Sequence, residues 1–168
     1  RGYVLAGATK FTGTGHDNIT YFDSDVYLIK TDENGNKVWE KKFDGGWSGY
    51  WDRTDGAYSV KQTTDGGYII AGVTHGYQQV YLIKTDANGY RLWERSFESG
   101  GVSRGRTVQQ TSGGGYIIIG DVVYERGRSF HTLLIKTDEF GNIAGNDIYS
   151  YERRENSTTF GLHGYTAG

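Results

Sequence analysis

Leu28-Ile29-Lys30-Thr31-Asp32 is written again as Leu82-Ile83-Lys84-Thr85-Asp86 and a third time as Leu134-Ile135-Lys136-Thr137-Asp138, copies that lie 54 and 52 residues apart. A second word, Gly-Tyr-x-x-x-Gly, stands at Gly2 to Gly7, Gly67 to Gly72 and Gly115 to Gly120, and returns one residue short at Gly164 to Gly168. Units of roughly fifty residues, each rich in strand formers and glycine turns, predict an all-β array of β-propeller-type blades. The repeats divide the chain into units 1–57, 58–105 and 106–155, followed by a closing or exchanged strand segment at 156–168.

The middle unit resolves into four short segments. Tyr58 to Thr63 runs into the turn Thr64-Asp65-Gly66-Gly67, and Tyr68 to Gly72 returns from it. Val80 to Thr85 then leads into Asp86-Ala87-Asn88-Gly89, and Arg91 to Phe97 returns. This predicts a four-stranded antiparallel meander. Read as a three-residue hairpin loop closed by a glycine bulge, the Asp-x-Asn-Gly turn places Ile29 opposite Trp39 and Ile83 opposite Trp93. In the third unit the corresponding position is Gly145 and the turn reads Asp138-Glu139-Phe140-Gly141, so the final strand there should be weaker. Tyr68-Ile69-Ile70-Ala71 and Tyr81-Leu82-Ile83 are apolar on both alternating faces, which requires cover on both sides of the sheet.

Composition agrees and narrows the function. Aromatic residues make up 15% of the chain and glycines number 27, a balance that favours strands and turns. With 18 basic and 20 acidic residues the formal charge is −2, which offers nucleic acid no basic surface. The arginines between Arg95 and Arg128 are interleaved with Gly, Ser and Glu and read as solvated loop charges. Without cysteine there is neither disulfide nor thiolate chemistry. No apolar run approaches the ~20 residues that span a bilayer. The sequons at Asn18 and Asn156 have the form of N-glycosylation acceptors and tilt the reading outward, to an extracellular or cell-surface protein.

Asp-Gly-Gly-Tyr-Ile-Ile-Ala-Gly, then Tyr-Leu-Ile-Lys-Thr-Asp-Ala-Asn-Gly, then Leu-Trp, followed by Val-Gln-Gln-Thr at Val108 to Thr111, resembles the repeats of bacterial and archaeal secreted and cell-surface β-propellers. The likeness covers nearly the whole chain and implies the fold, not an activity. A weaker likeness to pyrroloquinoline-quinone type propeller repeats brings no cofactor-binding constellation, and no cofactor is expected. Propellers close with about four to eight blades, so three units imply a piece of a longer propeller, two chains completing one ring, or an open array. The first unit begins at the second strand of a blade, while the tail carries a spare strand word. Such ends can close a ring or pair head to tail in a filament.

Candidate sites lie where the repeats differ. Between Phe43 and Ser59 the first unit carries an aromatic insertion. Trp47, Tyr50 and Trp51 could stack on sugar rings there, with Asp52 and Arg53 bonding hydroxyls; alternatively the same residues cover a blade edge or make a subunit contact. A second long loop, Thr9 to Ser24, holds Asn18. The Asp-rich turns fail the calcium-loop spacing, since Lys37 and Phe43 stand where an EF-hand counted from Asp32 needs Gly and Glu. Lys30, Lys84 and Lys136 read as stems packed along the blade, each ammonium reaching a carboxylate or carbonyl. His16, His75, His131 and His163 show no metal-ligand spacing, and neither a serine elbow nor a phosphate loop is present. The expectation is a non-catalytic structural or adhesive repeat protein that self-associates. The alternative is a carbohydrate-binding module, and a third reading is a polysaccharide-acting enzyme with a dispersed carboxylate pair.

Overall fold

The computed structural model describes residues 2–14, 20–45, 52–74, 79–124, 129–143, 148–152 and 161–164. Among them all regular structure is β-strand. The first third of the chain contributes β1 (Val4–Ala8), β2 (Phe11–Thr14), β3 (Thr20–Ser24), β4 (Val26–Thr31), β5 (Lys37–Phe43) and β6 (Asp52–Thr54). The middle contributes β7 (Gly56–Gln62), β8 (Tyr68–Thr74), β9 (Gln79–Thr85) and β10 (Arg91–Phe97). The remainder holds β11 (Val102–Gln110), β12 (Tyr116–Tyr124), β13 (Ser129–Thr137), β14 (Ile148–Glu152) and β15 (Gly161–Gly164).

The strands form a first sheet β1-β4-β5, a middle sheet β7-β8-β9-β10 and a third sheet β11 to β15, with a small sheet β2-β3-β6 beside the first. The middle sheet is the antiparallel meander that its turn chemistry dictates. β15 joins the third sheet by pairing antiparallel with β14, so residues 161–164 of the tail are used within this chain. Gly145 lies outside the described residues, and β14 starts only opposite Ile135, whereas β10 starts opposite Thr85 at the turn.

Period-two alternation on the middle sheet feeds two cores. Tyr68, Ile70, Tyr81 and Ile83 pack with Val26, Leu28 and Phe43 of the first sheet. Ile69, Ala71, Val80 and Leu82, on the opposite face, pack with Val108, Tyr116, Ile118, Leu133 and Ile135 of the third. The middle sheet is therefore covered on both sides by its neighbours, which is why its strands are apolar throughout.

Three expectations need correction. Trp39 stands opposite Lys30, not Ile29, and Ile29 faces Glu40; Trp93 stands opposite Lys84, and Ile83 faces Glu94. Val38 and Leu92 are extra residues on their strands, where the register shifts. The turn also closes differently. The Asp32 carboxylate accepts from the amides of Asn34 (2.9 Å) and Asn36 (2.8 Å), while Asp32 N donates to Asn36 O (2.9 Å). The loop thus spans Asp32 to Asn36, and a bulge follows it on the returning strand. Second, much of Thr9 to Ser24 is not loop, because β2 and β3 pair as an antiparallel extension of the β1–β4 hairpin. Third, Arg95 lies on β10, where it donates to Glu94 O and Asn142 Oδ1, and Arg104 and Arg106 lie on β11 with both guanidinium groups paired to Asp121, so these three are strand and not loop charges, while Arg126 and Arg128 lie outside the described residues.

Candidate functional site

The repeating contact between sheets is made by Trp-Glu-Lys/Arg on the last strand of one unit and the Asp turn of the next. Gly89 closes the middle turn with φ 78°, and a Cβ there would come within 2.8 Å of the Trp39 ring and 3.0 Å of Lys41 Cγ. Gly141, also at φ 78°, stands in the same relation to Trp93 at 2.7 Å and Arg95 at 3.0 Å. Trp39 meets Tyr68 edge-on at 5.9 Å between centroids, and Trp93 meets Tyr116 at 5.8 Å. Glycine is required at these turns twice over, by the left-handed backbone and by the ring laid against it.

In each of these turns the aspartate serves its own backbone. Asp86 Oδ1 accepts from Asn88 N (2.9 Å) and Tyr90 N (2.8 Å), and Asp138 Oδ1 from Phe140 N (2.9 Å) and Asn142 N (2.8 Å). Asn36, through its side chain and then its amide, holds the Asp32 carboxyl below the usual range, and Asn142 does the same for Asp138 by its amide first. The carboxylates that suggest a calcium loop are thereby occupied, and among the described residues no group of three or more His, Cys, Asp or Glu could hold a metal ion.

Lys84 is buried with its ammonium on Asp65 Oδ2 (2.8 Å) and Thr85 O (2.8 Å). Lys84, then Thr63, holds the Asp65 carboxyl down at about 2. Lys30 donates to Thr31 O (2.7 Å). Lys136 is exposed, and Gly113 occupies the place of Asp65 in the third unit. Of the three, Lys84 ties the Asp65 turn to its own strand, and Lys30 reaches the neighbouring carbonyl.

The two departures from the repeat meet at one corner. β6 pairs parallel with β3, setting Phe22 opposite Asp52, Asp23 opposite Arg53 and Ser24 opposite Thr54. Asp55 then knots the corner: its amide donates to Ser24 O (2.7 Å), its carbonyl accepts from Ser24 Oγ (2.8 Å), and its buried carboxylate accepts from Gly45 N (2.6 Å). Asp25 stands nearby with its carboxyl pushed up, by burial first and then by Asp23 and Asp44, against the opposing pull of Lys42. Of the five candidate ligand residues, Asp52 and Arg53 have their backbone in β6, whereas Trp47, Tyr50 and Trp51 lie outside the described residues, as do the sequon asparagines Asn18 and Asn156. Sequence reasoning had missed Asp55, Ser24 and Gly45. Asp55 and Ser103 hold equivalent buried positions ahead of the bulges at Tyr58 and Arg106, an equivalence that burial and pairing reveal and that no local sequence pattern marks.

No known family model matches this chain, and no curated protein matches it. The corner joins the two segments that depart from the repeat through the β3–β6 pairing and the Asp55 hydrogen bonds.

Proposed function

We propose that this chain is a non-catalytic, β-propeller-type repeat module of a secreted or cell-surface protein, structural or adhesive in role, that assembles end to end with further copies. The carrying observation is that the two ends of the sheet stack present apolar faces. Tyr3 and Leu5 are exposed on the outer face of the first sheet; Ile119 and Phe130 are exposed on the outer face of the third. Within the stack the positions equivalent to Tyr3, Leu5 and Ile119 are core, as Tyr68 and Tyr116, Ile70 and Ile118, and Ala71 show, and apolar surface of this kind drives association. Sedimentation across a concentration series tests the reading. A mass that rises with concentration is expected, and a monomer at every concentration overturns it.

A second reading is favoured by the pairing of β6 with β3, which sets the end of the aromatic insertion beside the other insertion. In it, the corner binds carbohydrate through Trp47, Tyr50 and Trp51, with Asp52 and Arg53 fixing hydroxyls. Glycan-array binding should disappear in the double variant Trp47→Ala, Trp51→Ala; binding that survives removes this site.

A further inference from the structure

The glycine of the second-strand word reads out what lies beside it. Gly72 pairs with Tyr81, and Gly120 pairs with Leu133. A Cβ on Gly72 would sit 1.9 Å from the Gly56 carbonyl oxygen, and one on Gly120 would sit 1.9 Å from that of Arg104. In both sheets a first strand with one extra residue, Tyr58 or Arg106, crowds that position. Gly7 belongs to the same word and pairs with Tyr27 in the same way, yet no atom of the described residues lies within 4 Å of its Cβ position. Among the described residues no carbonyl takes that place, and among the described strands β1 pairs with β4 alone.

A second open position, judged by the described residues, lies on the turn that follows β4. Gly35, at φ 87°, has no neighbour among the described residues within 4 Å of its Cβ position, where Gly89 and Gly141 carry Trp rings. Tyr3 is 64% exposed, against 4% for Tyr68 and 2% for Tyr116; Leu5 is 50% exposed, against 1% for Ile70 and for Ile118. Inside the stack one continuous stretch fills both places: Trp93 of β10 covers Gly141 and Tyr116, and β11, the next strand, pairs along the β12 edge.

We propose that the β1 edge and the Tyr3, Leu5 and Gly35 face form one docking seat for a partner segment of the Arg91–Gln110 kind: a Trp-x-Arg strand followed by a bulged first strand. The tryptophan lies on Gly35 and Tyr3, and the bulged strand adds antiparallel to β1 with a carbonyl over Gly7. Asn36 presents to the segment's arginine the same side chain that Asn142 presents to Arg95, an N–O separation of 3.4 Å within the stack. Strand addition of this type draws affinity from main-chain hydrogen bonds and specificity from alternate side-chain pockets. The seat deepens the end-to-end reading, on which it rests, by naming what the first-sheet end receives.

The test titrates a synthetic peptide with the sequence Arg91–Gln110 into the full chain, beside the protein variant Gly7→Val and the peptide variant Trp93→Ala. Valine at position 7 has open space and a backbone outside the left-handed region, so its melting temperature should match that of the unaltered chain. Saturable binding is expected, weakened by about tenfold or more by either substitution. Absence of binding, or binding indifferent to Gly7→Val, overturns the seat. Sedimentation without peptide separates the two claims: a monomer that still binds peptide in a Gly7-dependent manner removes self-assembly and leaves the seat. Oligomers that the peptide neither dissolves nor enters put a second copy elsewhere and overturn it.

Discussion

Single residues carry opposite assignments under the same letter. The aspartates of the three Asp-x-x-Gly turns are internal caps, but Asp65 is the counter-ion of a buried lysine. Its folded pKa, about 2, lies below its ordinary value of 3.8. The pair therefore stabilises the fold fully above that ordinary value, and the contribution is lost as pH falls from there through about 2. Asp65→Asn should lower stability at neutral pH by about 1–2 kcal/mol, more than an exposed pair, because it strands the Lys84 ammonium against a carbonyl alone. The loss should shrink below pH ~3. Thermal melting of both proteins across pH checks this, and a deficit that stays constant down to pH ~2 would refute the assignment.

At the scale of elements, the coupling between sheets is localised. Trp93 and Arg95 hold the Gly141 turn as Trp39 and Lys41 hold the Gly89 turn, with Lys41 Nζ also 3.9 Å from the Tyr90 ring centroid. Trp93→Ala should cost about 2–3 kcal/mol, below the range for a fully buried aromatic because Trp93 is only half-buried. A double-mutant cycle of Trp93→Ala with Tyr116→Leu should return a coupling of about 0.5–1.5 kcal/mol. Zero coupling in denaturant unfolding would mean that the ring contact does not join the sheets. The bulges at Val38 and Leu92 belong to the same device, since they turn Trp39 and Trp93 to the face that meets the next unit.

For the whole molecule, the stack should be most protected at its centre. Amides of Ile69 to Val73 and Val80 to Thr85, in strands buried on both faces, should exchange with solvent more slowly than those of Val4 to Ala8, whose strand is an edge among the described strands and has Leu5 exposed on its outer face. Hydrogen exchange resolved by residue decides this, and equal protection of β1 and β8 would refute it. The repeated words and doubly apolar runs made the meander, the need for cover on both faces and the bland role of Lys84 legible, because strand alternation and turn chemistry are local properties. The Trp39 register was not legible: an extra residue on a returning strand changes pairing without changing composition, and only a complete backbone shows it. The corner was half legible, since each insertion stood out as a departure from the repeat while nothing local linked residue 23 to residue 53. By itself the sequence determined an all-β chain of three related units, through periodicities of two and of roughly fifty residues. Tertiary structure alone decided that Trp39 and Trp93 clamp the next turn and that β3 and β6 meet, because such contacts join residues remote in the chain and depend on backbone approach that no local pattern encodes.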